Sequence, residues 1–510
     1  MTSDLLNRTA RLYGIQSAYF DGLEELREAP ADAILLALKA LGAPVNRLDD
    51  LADAYRQHWQ SLWQRVIEPV VVVWQGEPVK VKLRLSAELA EIPATYRIVL
   101  EDGAALEGEL CDDPDFRLVM REVESMRYVT RQLLGPANLP IGYHRLHLRI
   151  GALDLECYLF CAPVHAYAPA DRQARDWGLF CPLYALHSER SWGAGDFSDL
   201  EQLVEFTAEH GGHAVATLPM LATFLDEPFN PSPYAPVSRL FWNEFYLDVE
   251  RIAELQQCPE AKSIMSASFA TEMQRLSALS LVDYRRLMAL KRRVLEALAR
   301  SLLSHDGDRR ISFERYVETH PVAEDYAAFR AKNERERKSW LYWPAENRDG
   351  TLRPEDFDED ARRYHLYVQW QCEEQTAALC DHARARNSAL YLDLPLGVNR
   401  DGYDVWRERE LFALNMNGGA PPDGLFIKGQ NWGFPPLQPE NIRRQGYRYY
   451  IDCLRHHMRT ARMLRVDHVM GLHRAFWVPD GFRATDGVYV RYRAAEFYAI
   501  LNLESHRHQV

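Results

Sequence analysis

The sequence predicts an α/β protein, in which a parallel sheet covered by helices follows a helical segment and an antiparallel β-sandwich. Three observations predict it. Apolar residues recur at helical spacing in residues 1–66, the period falls to two across residues 67–163, and short apolar runs alternate with amphipathic stretches after residue 178.

In the first segment, "ADAILLALKALGAP" has helical periodicity and stops at Gly42 and Pro44. In the second, "VKVKLRL" (Val79 to Leu85) alternates strictly. The runs "YRIVL", "YHRLHLRI" and "LDLECYLF" follow with turn residues between them and no room for helical crossovers, the pattern of an antiparallel sandwich. Residues 164–177 are polar and contain proline, and read as a linker.

The third region, residues 178–510, carries four short apolar runs: "GLFCPLYAL", "HAVATLPML", "ALYLDLPLGV" and "RMLRVDHV". Helical stretches such as "DLEQLVEFTAEHGG" separate them, which implies parallel strands. A charged, helix-rich insertion without a convincing strand spans about residues 250–385.

Composition narrows the function. The 510 residues are 47% hydrophobic and 26% charged, with no apolar run of membrane-spanning length. A net charge of -13 argues against a nucleic-acid partner. The 12 tryptophans and 25 tyrosines suit a carbohydrate binder, because sugars stack on aromatic rings, and equally suit a large core. The N-terminus lacks the basic and apolar pattern of a signal peptide, so a cytoplasmic location with reduced cysteines is expected. The eight cysteines lack zinc-site spacing and read as apolar filler.

In parallel α/β barrels, function lies at the C-terminal ends of the strands. Here those ends lead into "HSERSWGAGDF", "NPSPYAPVSRLFWNEFYLDVE", "NRDGYDVW" with "GAPPDGLFIKGQNWGFPPL", and the cluster Arg465, Asp467 and His468. Carboxylates, aromatics and glycines at four strand ends suit a polar, ring-shaped ligand. Taken alone, Arg465 and Asp467 also fit an ion pair that ties a strand end to its neighbour.

These segments, in this order from Trp177 onward, resemble the amylomaltases, the 4-α-glucanotransferases of the α-amylase clan. The front of the chain is similar to that of the longer bacterial members. The resemblance implies a (β/α)8 TIM-barrel catalytic domain and transfer of α-1,4-glucan segments between maltooligosaccharides, with retention and without metal or organic cofactor. Retaining transfer needs a carboxylate nucleophile and a second carboxylic acid roughly 5–5.5 Å away. By resemblance Asp467 is the nucleophile. Arg465, on the same strand face, would keep it ionised. Tyr234 would be a stacking platform, and His468, Asp401, Asp423 and Trp432 would contact the glucan. Asp404 is an alternative to Asp401 and can instead cap a helix. Trp192 and Asp196 read as structural.

Only the first four strands of the barrel are recognisable. The family's acid/base glutamate would follow a stretch like "ILNLESHRH", where this chain ends. From sequence, therefore, the chain is expected to be cut off after the fourth strand and to lack the acid/base segment, with a missing C-terminal half barrel as its partner. Glu496 and Glu504 read as surface charges. The alternative function is a catalytically silent α-glucan-binding protein.

Overall fold

A computed structural model of the chain describes residues 2–169 and 176–510, so residues 170–175 of the expected linker lie outside the described residues. The fold divides into two compact units. One comprises residues 1–169, 410–454 and 469–510, the other residues 170–409 and 455–468. The second and third pieces of the first unit had been expected in the half barrel.

The sandwich of the first unit follows from alternation. Val79, Val81, Leu83 and Leu85 are buried, while Lys80 and Lys82 between them are exposed. They share a core with Leu146, Leu148 and Ile150 of the strand Gly142–Ile150. Its pairings are antiparallel with one exception. Val70–Trp74 runs parallel to Leu153–Ala162, which corrects the all-antiparallel expectation.

The N-terminal segment is not purely helical. Helices Thr2–Leu12, Ala31–Ala40 and Leu51–Gln64 are interrupted by short strands. Ile15–Gln16 pairs with Val488–Arg491, and Ala18–Phe20 forms a hairpin with Leu26–Glu28. Val488–Arg491 continues into Arg474–Pro479 and then Met416–Ala420, giving a second sheet. Strands this short and strand-poor in pattern give little periodicity to read.

Glu496 and Glu504 are not surface charges, since they are 6% and 0% exposed. Their helix, Ala494–His508, is apolar on more than one side and buries Ala499, Ile500 and Leu503. Glu496 accepts hydrogen bonds from Arg443 Nε at 2.9 Å and from the Tyr447 hydroxyl at 2.8 Å. Arg443 Nη2 also donates to Glu68 at 2.9 Å. A buried charge is tolerated only with such partners.

The second unit is built on a four-stranded parallel sheet whose spatial order is its chain order: Gly178–Phe180, Ala214–Ala216, Ala389–Leu394 and Met463–Val466. The first crossover contains the helix Phe197–Glu209, capped by Asp196, whose carboxylate accepts from the Ser198 and Asp199 amides. Trp192 is buried and donates to Glu250 at 3.1 Å. Between the second and third strands the chain is helical, with Tyr284–Ser304, Pro321–Glu336 and Glu359–Ala385 the longest elements. This insertion has its own buried polar anchor, where Lys291 Nζ donates to the carbonyls of Phe245 and Leu247 at 2.6 and 2.9 Å. No helix among the described residues is long and apolar enough to cross a membrane.

Among the described residues no disulfide joins the cysteines, and six of the eight are buried. Cys111 is exposed and Cys181 half-buried, so those two depart from the filler role.

Candidate active site

The last two strands of the parallel sheet place the site. Their register sets Asp393 opposite Arg465 and Leu394 opposite Val466. One residue further, the Asp467 amide donates to the Leu394 carbonyl at 3.1 Å. Asp467 therefore leaves the strand in a defined position. Side chains two apart in a strand share a face, so Arg465 and Asp467 meet, and Arg465 Nη2 donates to Asp467 Oδ1 at 2.6 Å.

The other guanidinium nitrogen turns inward. Arg465 Nη1 lies 2.7 and 2.6 Å from the two oxygens of Asp393. Asp393 Oδ2 also accepts the Tyr234 hydroxyl at 2.7 Å. Tyr234, Asp393, Arg465 and Asp467 thus form one hydrogen-bonded chain across three segments of the unit. Asp393 is 5% exposed, whereas the side chains of Arg465 and Asp467 are 44% and 26% exposed. The inner end is fixed and the outer carboxylate is open to a ligand.

The electrostatics follow from this burial gradient. Burial pushes the Tyr234 hydroxyl up to about 12, reinforced by its hydrogen bond to Asp393, so it stays a donor at neutral pH. Burial also raises Asp393, against the hydrogen bonds from Arg465 and Tyr234 that favour its charged form. The Arg465 guanidinium is raised first by its hydrogen bond to Asp393. Burial lowers the His468 imidazole while the neighbouring Asp467 charge raises it. His468 has a left-handed backbone, φ 48°, the sharp bend that ends the strand. A non-glycine residue holds that conformation only when its surroundings fix it.

The remaining candidates are placed as follows. Asp401 accepts the Ser339 hydroxyl at 2.6 Å, which ties it to the helical insertion, and no hydrogen bond joins it to the four-residue chain. Asp404 does not cap a helix. It is buried, accepting Ser238 Oγ at 2.5 Å and the Arg239 amide at 2.8 Å, and so anchors the loop that follows Tyr234. Asp423 and Trp432 belong to the first unit. Asp423 closes a turn by accepting the Leu425 and Phe426 amides at 2.8 and 2.6 Å, and Trp432 stacks on Phe434 with ring centres 5.8 Å apart. Among the described residues no group of three or more His, Cys, Asp or Glu is placed to hold a metal ion.

Asp393 escaped the sequence reading. Its signal is a lone carboxylate inside the apolar run "ALYLDLPLGV". Only the parallel register, with Arg465 directly opposite, turns that oddity into part of a site.

A family model described as 4-alpha-glucanotransferase matches residues 181–510, and one described as the MalQ N-terminal beta sandwich domain matches residues 66–163. The chain belongs to the 4-alpha-glucanotransferase family. The Mycobacterium tuberculosis 4-alpha-glucanotransferase is 32% identical over 517 residues, covering 98% of this chain and 70% of that relative. The Haemophilus influenzae 4-alpha-glucanotransferase is 29% identical, covering 87% of this chain and 64% of that relative. Among solved structures, the amylomaltase from Corynebacterium glutamicum superposes with a TM-score of 0.83 at 27% identity, covering 99% of this chain and 71% of that one.

The fold is therefore that of an amylomaltase with an N-terminal β-sandwich. The expectations of a chain cut after its fourth strand, of an absent acid/base segment and of a missing half barrel as partner gain no support from the comparison, which matches 99% of this chain to 71% of the corynebacterial enzyme.

Proposed function

We propose that the protein transfers α-1,4-glucan segments between maltooligosaccharides by a retaining double displacement in which Asp467 is the nucleophile. The observation that carries this reading is the single guanidinium of Arg465 bridging Asp393 and Asp467 at adjacent strand ends. A carboxylate nucleophile must be aimed, and the hydrogen bond that Arg465 donates at 2.6 Å fixes the rotamer of Asp467.

In the first step Asp467 attacks the anomeric carbon of the donor glucan. The bond to the leaving glucan oxygen breaks, and that oxygen takes a proton. In the second step the 4-hydroxyl of an acceptor glucan displaces Asp467, gives its proton to the group that protonated the leaving oxygen, and restores the α-linkage. Asp393 has both oxygens committed to Tyr234 and Arg465, so it orients Arg465 and does not move protons. The proton for the leaving oxygen comes from a group outside this four-residue chain. Tyr234 offers its ring to a sugar face, with its hydroxyl pinned by Asp393. His468, Asp401, Asp423 and Trp432 supply glucan contacts.

A slow-reacting fluorinated α-glucosyl fluoride tests the covalent step. Peptide mapping after incubation should find the glucosyl label on the peptide carrying Asp467. A label on another carboxylate, or none, contradicts the assignment. Maltooligosaccharide binding with no label and no transfer products would favour the silent glucan-binding alternative.

A further inference from the structure

The turn at Asp423 does not stand alone. The hairpin Ala18–Phe20/Leu26–Glu28 reaches it from the N-terminal segment of the same unit. The hairpin tip is rigid because Asp21, 7% exposed, accepts the amides of Leu23 and Glu25 at 2.8 and 3.0 Å and Arg27 Nε at 2.8 Å. The adjacent Gly22 amide donates to the Pro422 carbonyl at 2.9 Å. A Cβ at Gly22 would lie 2.7 Å from Asp423 Cβ and 3.0 Å from Asp423 Cα. Both neighbours are stiff, one a backbone atom and the other the first atom of a side chain. Only glycine permits this approach.

Both partners of the tip contact share one root. At the hairpin base, Tyr19 packs edge-on against Phe476, ring centres 5.4 Å apart. Phe476 lies opposite Gly419 in the strand Met416–Ala420, which runs directly into the Asp423 turn. Hairpin, strand and turn thus close a frame, joined at the base through Phe476 and at the tip through Gly22 and Pro422. The turn itself buries little that would hold it in one position. Leu425 and Ile427 in it are 89% and 69% exposed.

We propose that this hairpin is a brace that sets the position of the Asp423 turn and so determines how well the acceptor glucan is bound, with Gly22 as the positioning residue. The proposal rests on the reading that the Asp423 turn contacts glucan. A brace of this kind acts on binding of the second substrate and leaves glucosylation of Asp467 by the donor untouched.

The test uses the full chain with three variants. Gly22→Val adds the clashing atoms. Asp21→Ala loosens the tip without adding volume and serves if Gly22→Val folds poorly. Asp423→Ala tests the glucan reading itself. Hydrogen exchange reports the turn amides, and glucose-acceptor kinetics with a maltotriose donor report function. Gly22→Val and Asp21→Ala should speed exchange at Leu425 and Phe426 and raise KM for glucose roughly ten-fold, with kcat within about two-fold, as for a small displacement remote from the chemistry. Unchanged exchange and KM in both, or KM and kcat worsening together with loss of folded protein, overturns the brace. If Asp423→Ala raises KM while the hairpin variants do not, the brace fails and the glucan reading stands. If Asp423→Ala leaves KM unchanged, the glucan reading of the turn fails and the brace with it.

Discussion

Asp393 and Arg465 face each other in register on adjacent parallel strands, and a single nitrogen of Arg465 reaches both carboxylate oxygens, at 2.7 and 2.6 Å. This leaves the second terminal nitrogen free to hold Asp467. The buried carboxylate spends its charge on the orientation of a guanidinium, and the guanidinium passes that orientation to the exposed carboxylate. Removing the inner member should therefore be felt at the outer one.

Asp393→Asn should lower the transfer rate about 100-fold, because Arg465 then has no fixed inner anchor and Asp467 loses its aim. Stability should fall by only about 1–2 kcal/mol, since Arg465 is partly solvated and keeps Asp467 as a partner. Steady-state kinetics alongside a thermal melt check both halves. A rate loss no larger than the loss of folded protein contradicts the positioning role.

Tyr234 separates platform from hydroxyl. Tyr234→Ala should weaken maltoheptaose binding about ten-fold or more, as the loss of a stacking face is worth roughly 1–2 kcal/mol. Tyr234→Phe keeps the ring and should recover most of that affinity, while losing the hydrogen bond to Asp393. Calorimetric titration of both variants checks this. Equal losses in the two would assign the binding effect to the hydroxyl network.

What could be read from the chain differed between elements for physical reasons. Val79 to Leu85 was legible because one face of the strand is wet and the other dry, so burial writes itself as alternation. The four parallel strands were legible as apolar runs between helices. The hairpin at Ala18–Glu28 and the strand Ile15–Gln16 were not, because two- and three-residue strands carry no period. Glu496 misled for another reason. A carboxylate on a helix reads as solvent-facing unless its partners are known, and Arg443 lies far back in the chain. Asp393 likewise needed the register of two strands that are distant in sequence.

The buried pair of Arg443 and Glu496 should matter for folding. Glu496→Ala should destabilise the protein by roughly 1–3 kcal/mol, because it removes the partner of Nε from a guanidinium that is 2% exposed and leaves it only Glu68 and Glu440. Denaturant unfolding followed by circular dichroism measures this. A change below about 1 kcal/mol would return Glu496 to the surface-charge reading.

Acid should destabilise the second unit through its imidazoles. Burial holds His456, packed 4.2 Å from Trp242, well below the ordinary histidine value, and lowers His468 as well. A histidine depressed in the folded state takes up its proton more readily when unfolded. Stability is then full above the unfolded value of about 6.5 and falls as the pH drops through and below it. Tm should decline between about pH 7.5 and 5.5, and His456→Gln should flatten part of that decline. An identical slope in the variant would remove His456 from the account.

The most direct measurement is chromatography of maltotriose after incubation with the protein and with Asp467→Asn. The parent should yield glucose together with longer maltodextrins, and Asp467→Asn, with an unchanged circular dichroism spectrum and melt, should yield neither. The same products from Asp467→Asn, or an unchanged maltotriose peak from the folded parent, would contradict the proposed function.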